Sequence, residues 1–139
     1  MDKPLIDKAI VSNKILTIEK CIIRINQEFI SDEAFRANIT QQDSVILNLQ
    51  RACEACIDIG NHLIRINKLT APQSARDTFE ILNANKIISQ ECAYKMQNMV
   101  GLRNIAVHDY QSLNLDIVIK VIQTHLNDFT DFIRQILSE

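Results

Sequence analysis

Glycine and proline are scarce, with two of each in 139 residues. A chain so poor in turn formers is not a sandwich or barrel of many short strands, and it points instead to helices with short joints. Tryptophan is absent and there are only two tyrosines and five phenylalanines, so the core must be built mainly from Ile, Leu, Val, Ala and Met. No apolar run approaches the roughly 20 residues that a membrane-spanning helix needs. The opening MDKPLIDKAI lacks the basic segment and apolar run of a secretory leader. An excess of positive charge is also missing: the formal net charge is −2. A protein that coats nucleic acid is usually basic, so any grip on RNA must come from local contacts. These features lead us to expect one soluble, cytoplasmic domain over residues 1–139, with reduced thiols and no cofactor.

Helical periodicity fills most of the chain. Ile15, Ile18, Ile22, Ile25 and Phe29 recur at spacings of 3 and 4 and predict a helix from about Leu5 to Phe29. Ser31-Asp32 marks a joint, and residues 33–38 suit a single turn. A second helix is expected from Thr40, where Thr40-Gln-Gln-Asp43 resembles a capping box, to the Thr70-Ala-Pro72 stop. Its stripe of Val45, Leu49, Ala52, Cys56 and Leu63, widened by Ile46, Cys53, Ile57 and Ile64, is broad enough to meet several neighbours. Gly60 within it costs about 1 kcal/mol relative to alanine and suggests a close helix approach. Ser74 opens a short helix through Phe79 and Leu82, and Asn83 to Lys86 reads as a polar break. Ser89 caps a fourth helix carrying Cys92, Met96, Met99 and Val100. A last helix is expected from Asn114 to Leu137 on the stripe Leu115, Val118, Ile122, Leu126, Phe129, Ile133 and Ile136. Four long helices and a short one predict an all-α bundle. The apolar faces exceed what one such bundle needs, so a homodimer is expected.

Four cysteines are present: Cys21, Cys53, Cys56 and Cys92. Cys53-x2-Cys56 looks like half of a zinc site, but no second pair follows. The two thiols lie on a helical stripe, where cysteine behaves as a small core residue. No metal site is expected.

The segment Val100-Gly-Leu-Arg-Asn-Ile-Ala-Val-His-Asp-Tyr-Gln111 stands apart, because Arg, Asn, His, Asp and Tyr crowd a helix joint. Arg103 and His108, five residues apart, would point about 140° apart on one uninterrupted helix. Either the helix ends near Val107, or each residue works with partners from elsewhere, as a second copy of the same segment across a two-fold axis would provide. The residue types suit cleavage of RNA, which carries its own nucleophile in the 2′-hydroxyl. Histidine can move protons near neutral pH. Arginine binds phosphate oxygens through paired hydrogen bonds. Such chemistry needs no metal, and a 2′,3′-cyclic phosphate is its expected product.

Arg103-Asn-Ile-Ala-Val-His108-Asp-Tyr110 resembles the R-x4-H-x-Y signature of the HepT-like toxins, members of the HEPN superfamily. The stretch from Asp43 to His62 is similar to the long helix of that family, so the resemblance covers essentially the whole chain. It implies a HEPN-type helical bundle, a homodimer whose two motifs form a composite site, and endoribonuclease activity on RNA, with transfer RNA the expected target. It also implies catalytic roles for Arg103 and His108 and a supporting role for polar Asn104. The implied setting is a type VII-like toxin–antitoxin pair. There an MntA-like minimal nucleotidyltransferase antitoxin neutralises the toxin by adding AMP to the motif tyrosine, here Tyr110. AMP at the rim of the site would place a bulky anion where the RNA phosphate must sit.

The alternative from another class is a non-catalytic helical module that binds a nucleotide or substrate for a nucleotidyltransferase. Other polar residues are given ordinary roles. His62 and His125 are read as solvated or capping, Tyr94 as packed at a helix edge, and Met96 and Met99 as filler. Lys20, Arg24, Arg51, Arg65 and Lys68 are read as solvated face.

Overall fold

The computed structural model describes residues 4–138, and residues 1–3 and 139, the ends of the expected domain, lie outside the described residues. In chain order the helices are α1 (Lys8–Glu28), α2 (Asp32–Arg36), α3 (Ile39–Ile66), α4 (Ala75–Ala84), α5 (Gln90–His108), a 3-10 turn (Tyr110–Ser112), α6 (Leu115–Thr124) and α7 (Asn127–Leu137). The all-helical architecture follows the sequence expectation, and no strand occurs among the described residues.

Helix α3 is the axis of the bundle. It lies along α1 and also packs against α2, α4, α5 and α7. Its buried residues, among them Val45, Ala52, Cys56, Ile59 and Leu63, extend round more than one face, which explains the broad stripe. Phe79 of α4 meets Phe132 of α7 edge-on, with ring centroids 5.5 Å apart, closing the core beneath α5. All four cysteines are buried thiols, as the core reading of Cys53 and Cys56 requires. Burial pushes the Cys53 thiol up to about 12, opposed by the nearby Arg103 guanidinium, and likewise holds Cys56 well above the usual thiol range.

At Gly60, α3 packs directly under side chains of α4. A Cβ there would stand 2.5 Å from Thr78 Cγ2, well inside contact distance. Thr78 is fully buried. Its hydroxyl donates to Asn61 Oδ1 at 2.7 Å, which fixes the methyl group against the glycine.

Besides the end of α3, which falls at Ile66 with Asn67 as its cap, short of the expected Thr70-Ala-Pro72 stop, three helix boundaries differ from the sequence reading. Helix α1 starts at Lys8 rather than Leu5, because Asp7 is the cap and accepts from Ala9 and Ile10 N–H at 3.1 and 3.3 Å. Leu5 instead exchanges hydrogen bonds with the Asn67 side chain, at 2.7 and 2.9 Å. At α3, Thr40 is not the cap. Asn38 is, accepting from Gln41 N–H at 3.0 Å, so Asp43 has no capping task. The third difference is the largest: the expected unbroken helix from Asn114 to Leu137 is two helices, α6 and α7. His125 N–H closes α6 on Val121 O at 2.8 Å, and the tight Asp128 N–H to His125 O bond of 3.0 Å starts a new direction. Thr124, His125 and Asn127 are weak helix formers. The apolar stripe continued across the break and concealed it.

Candidate active site

Helix α5 changes character along its length. Its first half buries Cys92, Ala93, Met96, Met99 and Val100 against the bundle. Past Gly101 it emerges: Leu102, Arg103 and Asn104 are half-buried, and Val107 and His108 are exposed. The motif therefore sits where a core helix runs out to the surface, anchored at one end and open at the other.

Arg103 turns back toward α3. Its side chain is only 16% exposed, and its Nε stands 3.0 Å from Glu54 Oε1. The approach is too bent to make a hydrogen bond, so the buried Nε–H has no proper acceptor and the pairing is chiefly electrostatic. Among the described residues no oxygen accepts from either terminal nitrogen, and the guanidinium also lies against the buried Cys53 thiol. Arg103 also lines a small, partly open cavity of about 10 Å³ with Ile46, Leu49, Leu102 and Ala106, at the lower limit for one water. Glu54 was not singled out in the sequence, because nothing in its spacing from Arg103 signals the contact.

His108 is the last residue of α5. The helix stays regular up to it, so Arg103 and His108 share one rod and diverge around it. No hydrogen bond joins the two side chains within the chain. Asn104 is half-buried beside Arg103. Asp109 caps the helix end, its N–H bonding to Ile105 O at 2.8 Å, and its carboxylate accepts from Ser112 Oγ at 2.6 Å. That bond braces the 3-10 turn carrying Tyr110. The Tyr110 hydroxyl donates to Asp43 in the second turn of α3. Partial burial and this carboxylate together push the Tyr110 phenol up to about 12.

The remaining candidates fall away from this cluster. His62 is buried, its Nε2 accepting from Asp7 N–H at 3.2 Å. His125 Nδ1 pairs with Asp128 at 3.3 Å at the break between α6 and α7. Lys20, Arg24, Arg51, Arg65 and Lys68 are exposed, and Tyr94 is more open than the expected edge packing, at 64% exposure. A surface cavity of about 920 Å³ lies away from the motif, between Ile6, Leu63, Lys86 and Ile136. Its described lining includes none of residues 103–110 and no histidine, so it stands apart from the motif. Among the described residues no three His, Cys, Asp or Glu side chains gather into a set that would hold a metal ion. Nor is any helix among them long and apolar enough to cross a membrane.

Comparison with known proteins puts this arrangement in context. The model of the family described as "Ribonuclease HepT-like" matches residues 18–136. A protein of Shewanella oneidensis named "mRNA nuclease HepT" is 56% identical over 130 residues, covering 94% of this chain and 98% of the relative. A protein of Aphanizomenon flos-aquae named "tRNA nuclease HepT" is 26% identical over 134 residues, covering 96% and 91%. Among solved structures, the tri-AMPylated Shewanella oneidensis HEPN toxin in complex with MNT antitoxin superposes with a TM-score of 0.90. It is 56% identical, and 94% of this chain and 98% of that chain are covered.

Proposed function

Because the chain belongs to the HepT-like ribonuclease family, we propose that it is the toxin of a toxin–antitoxin pair, a cytoplasmic endoribonuclease of one domain that works as a homodimer. His108 serves as general acid and base, and Arg103 holds the phosphate whose charge grows in the transition state. Asn104 supports the arginine. The 2′-hydroxyl of the RNA attacks its own phosphate, the 5′-oxygen leaves with a proton, and a 2′,3′-cyclic phosphate remains. The chemistry asks for no metal.

The observation that carries this reading is the placement of Arg103 and His108 on one regular helix, the arginine half-buried toward α3 and the histidine exposed beyond it. Side chains that diverge by about 140° do not converge on one phosphate within a chain, but two copies meeting about a two-fold axis can pair the arginine of one with the histidine of the other. Mixing Arg103→Ala and His108→Ala protomers tests this. Each is inactive alone, and the mixed dimer regains part of the wild-type cleavage because one composite pair is intact. Mixed dimers that stay inactive would mean that both residues act within one chain.

The RNA class is divided between the relatives: mRNA in the name of the more similar one and tRNA in the name of the other. The transfer-RNA expectation thus matches the more distant relative, and both RNA classes belong in the assay. Control is proposed to come from an MntA-like nucleotidyltransferase that adds AMP to Tyr110. The support is a 56% identical toxin described as tri-AMPylated and in complex with its MNT antitoxin. Tyr110 is 44% exposed and two residues beyond His108, open to a transferase and close enough for an added nucleotide to obstruct RNA. The alternative of a non-catalytic binding module is not favoured, since both curated relatives are named nucleases.

A further inference from the structure

The Tyr110 hydroxyl points at one group only, the carboxylate of Asp43, 67 residues away in the chain. Asp43 has no competing duty. Asn38 and not Thr40 caps α3, so no capping box engages Asp43, and no lysine or arginine among the described residues pairs with it. Both residues are exposed, and the turn that presents Tyr110 is braced separately by Asp109 and Ser112. An otherwise unoccupied carboxylate therefore holds the proton of the one phenol in the motif.

A neutral phenol is a poor nucleophile, and its proton must leave as its oxygen bonds to phosphorus. Resting on the reading that Tyr110 receives AMP, we propose that Asp43 of the toxin is the general base for its own modification. In that step the Tyr110 oxygen forms a bond to the α-phosphorus of ATP, the bond from that phosphorus to the bridging oxygen breaks, and pyrophosphate leaves. The phenolic proton passes to the Asp43 carboxylate and then to water. The geometry is that of a base within hydrogen-bond reach of the proton it removes. The transferase then has to supply the nucleotide and its alignment, while the toxin supplies the activated acceptor. Once protonated, Asp43 is also neutral, which relieves its repulsion of the incoming phosphates.

The test follows addition of the first AMP to full-length toxin by its nucleotidyltransferase partner with ATP, using intact mass and fragment mapping. Wild type, Asp43→Asn, Asp43→Glu and Tyr110→Phe are compared across the neutral and mildly alkaline range. Wild type takes AMP at Tyr110 with a rate nearly independent of pH, because a carboxylate is ionised throughout. Asp43→Asn is slowed at least about tenfold, and its rate climbs about tenfold per pH unit, since it must await the rare phenolate. Asp43→Glu recovers part of the rate, an outcome that a purely structural role for the aspartate does not produce. An Asp43→Asn rate within about twofold of wild type, with the same pH profile, overturns the assignment to Asp43 and leaves Tyr110 as acceptor. Absence of AMP on Tyr110 in the wild type overturns both.

Discussion

Glu54 Oε1 lies 3.0 Å from Arg103 Nε, and of the two side chains the carboxylate is the more exposed, at 45% against 16%. The contact holds the guanidinium at Nε, on a side chain that is largely buried and also faces the Cys53 thiol. Glu54 thereby positions the guanidinium that is proposed to hold the phosphate, through Nε and not through the terminal nitrogens.

Replacing Glu54 by glutamine should keep the shape and remove the charge. RNA cleavage is expected to fall about tenfold, roughly 1.4 kcal/mol of transition-state stabilisation. The loss should appear in kcat more than in KM, because alignment rather than attraction is impaired. Single-turnover and steady-state assays of Glu54→Gln check this. A rise in activity would show that the carboxylate competes with the substrate instead of positioning the arginine.

The Tyr110 phenol should ionise only at about 12, held up first by burial and then by the Asp43 hydrogen bond. A group whose pKa is raised by folding stabilises the native state fully below its unfolded value, near 10, and loses that contribution as pH rises through its folded value. Alkaline absorbance titration of wild type minus Tyr110→Phe isolates this phenol. In Asp43→Asn the midpoint should fall part of the way back, since the burial contribution remains.

Gly60→Ala should destabilise the fold although alanine favours helix. The new Cβ would stand 2.5 Å from Thr78 Cγ2, and that side chain is held by its bond to Asn61. Overpacking of this kind costs about 1–3 kcal/mol, which exceeds or cancels the gain of about 1 kcal/mol from helix propensity. Thermal melts should show a decrease of several degrees, and Gly60→Val should show a larger one. An increase in Tm for Gly60→Ala would mean that α4 moves aside freely.

The sequence was legible where one physical signal acted alone. Ser74 and Ser89 mark helix starts by their cap chemistry, and both are caps. The apolar face of α1 appears as Ile18 and Ile25, both fully buried. Legibility failed where signals overlapped. The apolar stripe runs unbroken through His125 and Leu126 and hid the turn between α6 and α7. Thr40-Gln-Gln-Asp43 imitates a capping box, yet Asn38 wins the cap because its side chain reaches Gln41 N–H first. In the candidate site the motif was readable because its polar residues are contiguous. Glu54 and Asp43 reach it only through packing of α3 beside α5, which local spacing does not encode.

Cleavage of RNA by purified, unmodified toxin in the presence of EDTA, wild type against His108→Ala, addresses the central claim most directly. Both transfer and messenger RNA are offered, and a thermal melt confirms that the variant is folded. The account predicts that the wild type cuts in EDTA, leaves 2′,3′-cyclic phosphate ends, and loses at least about a hundredfold in rate when the general acid–base is removed. Undiminished cutting by folded His108→Ala, or cutting that EDTA abolishes, would contradict it.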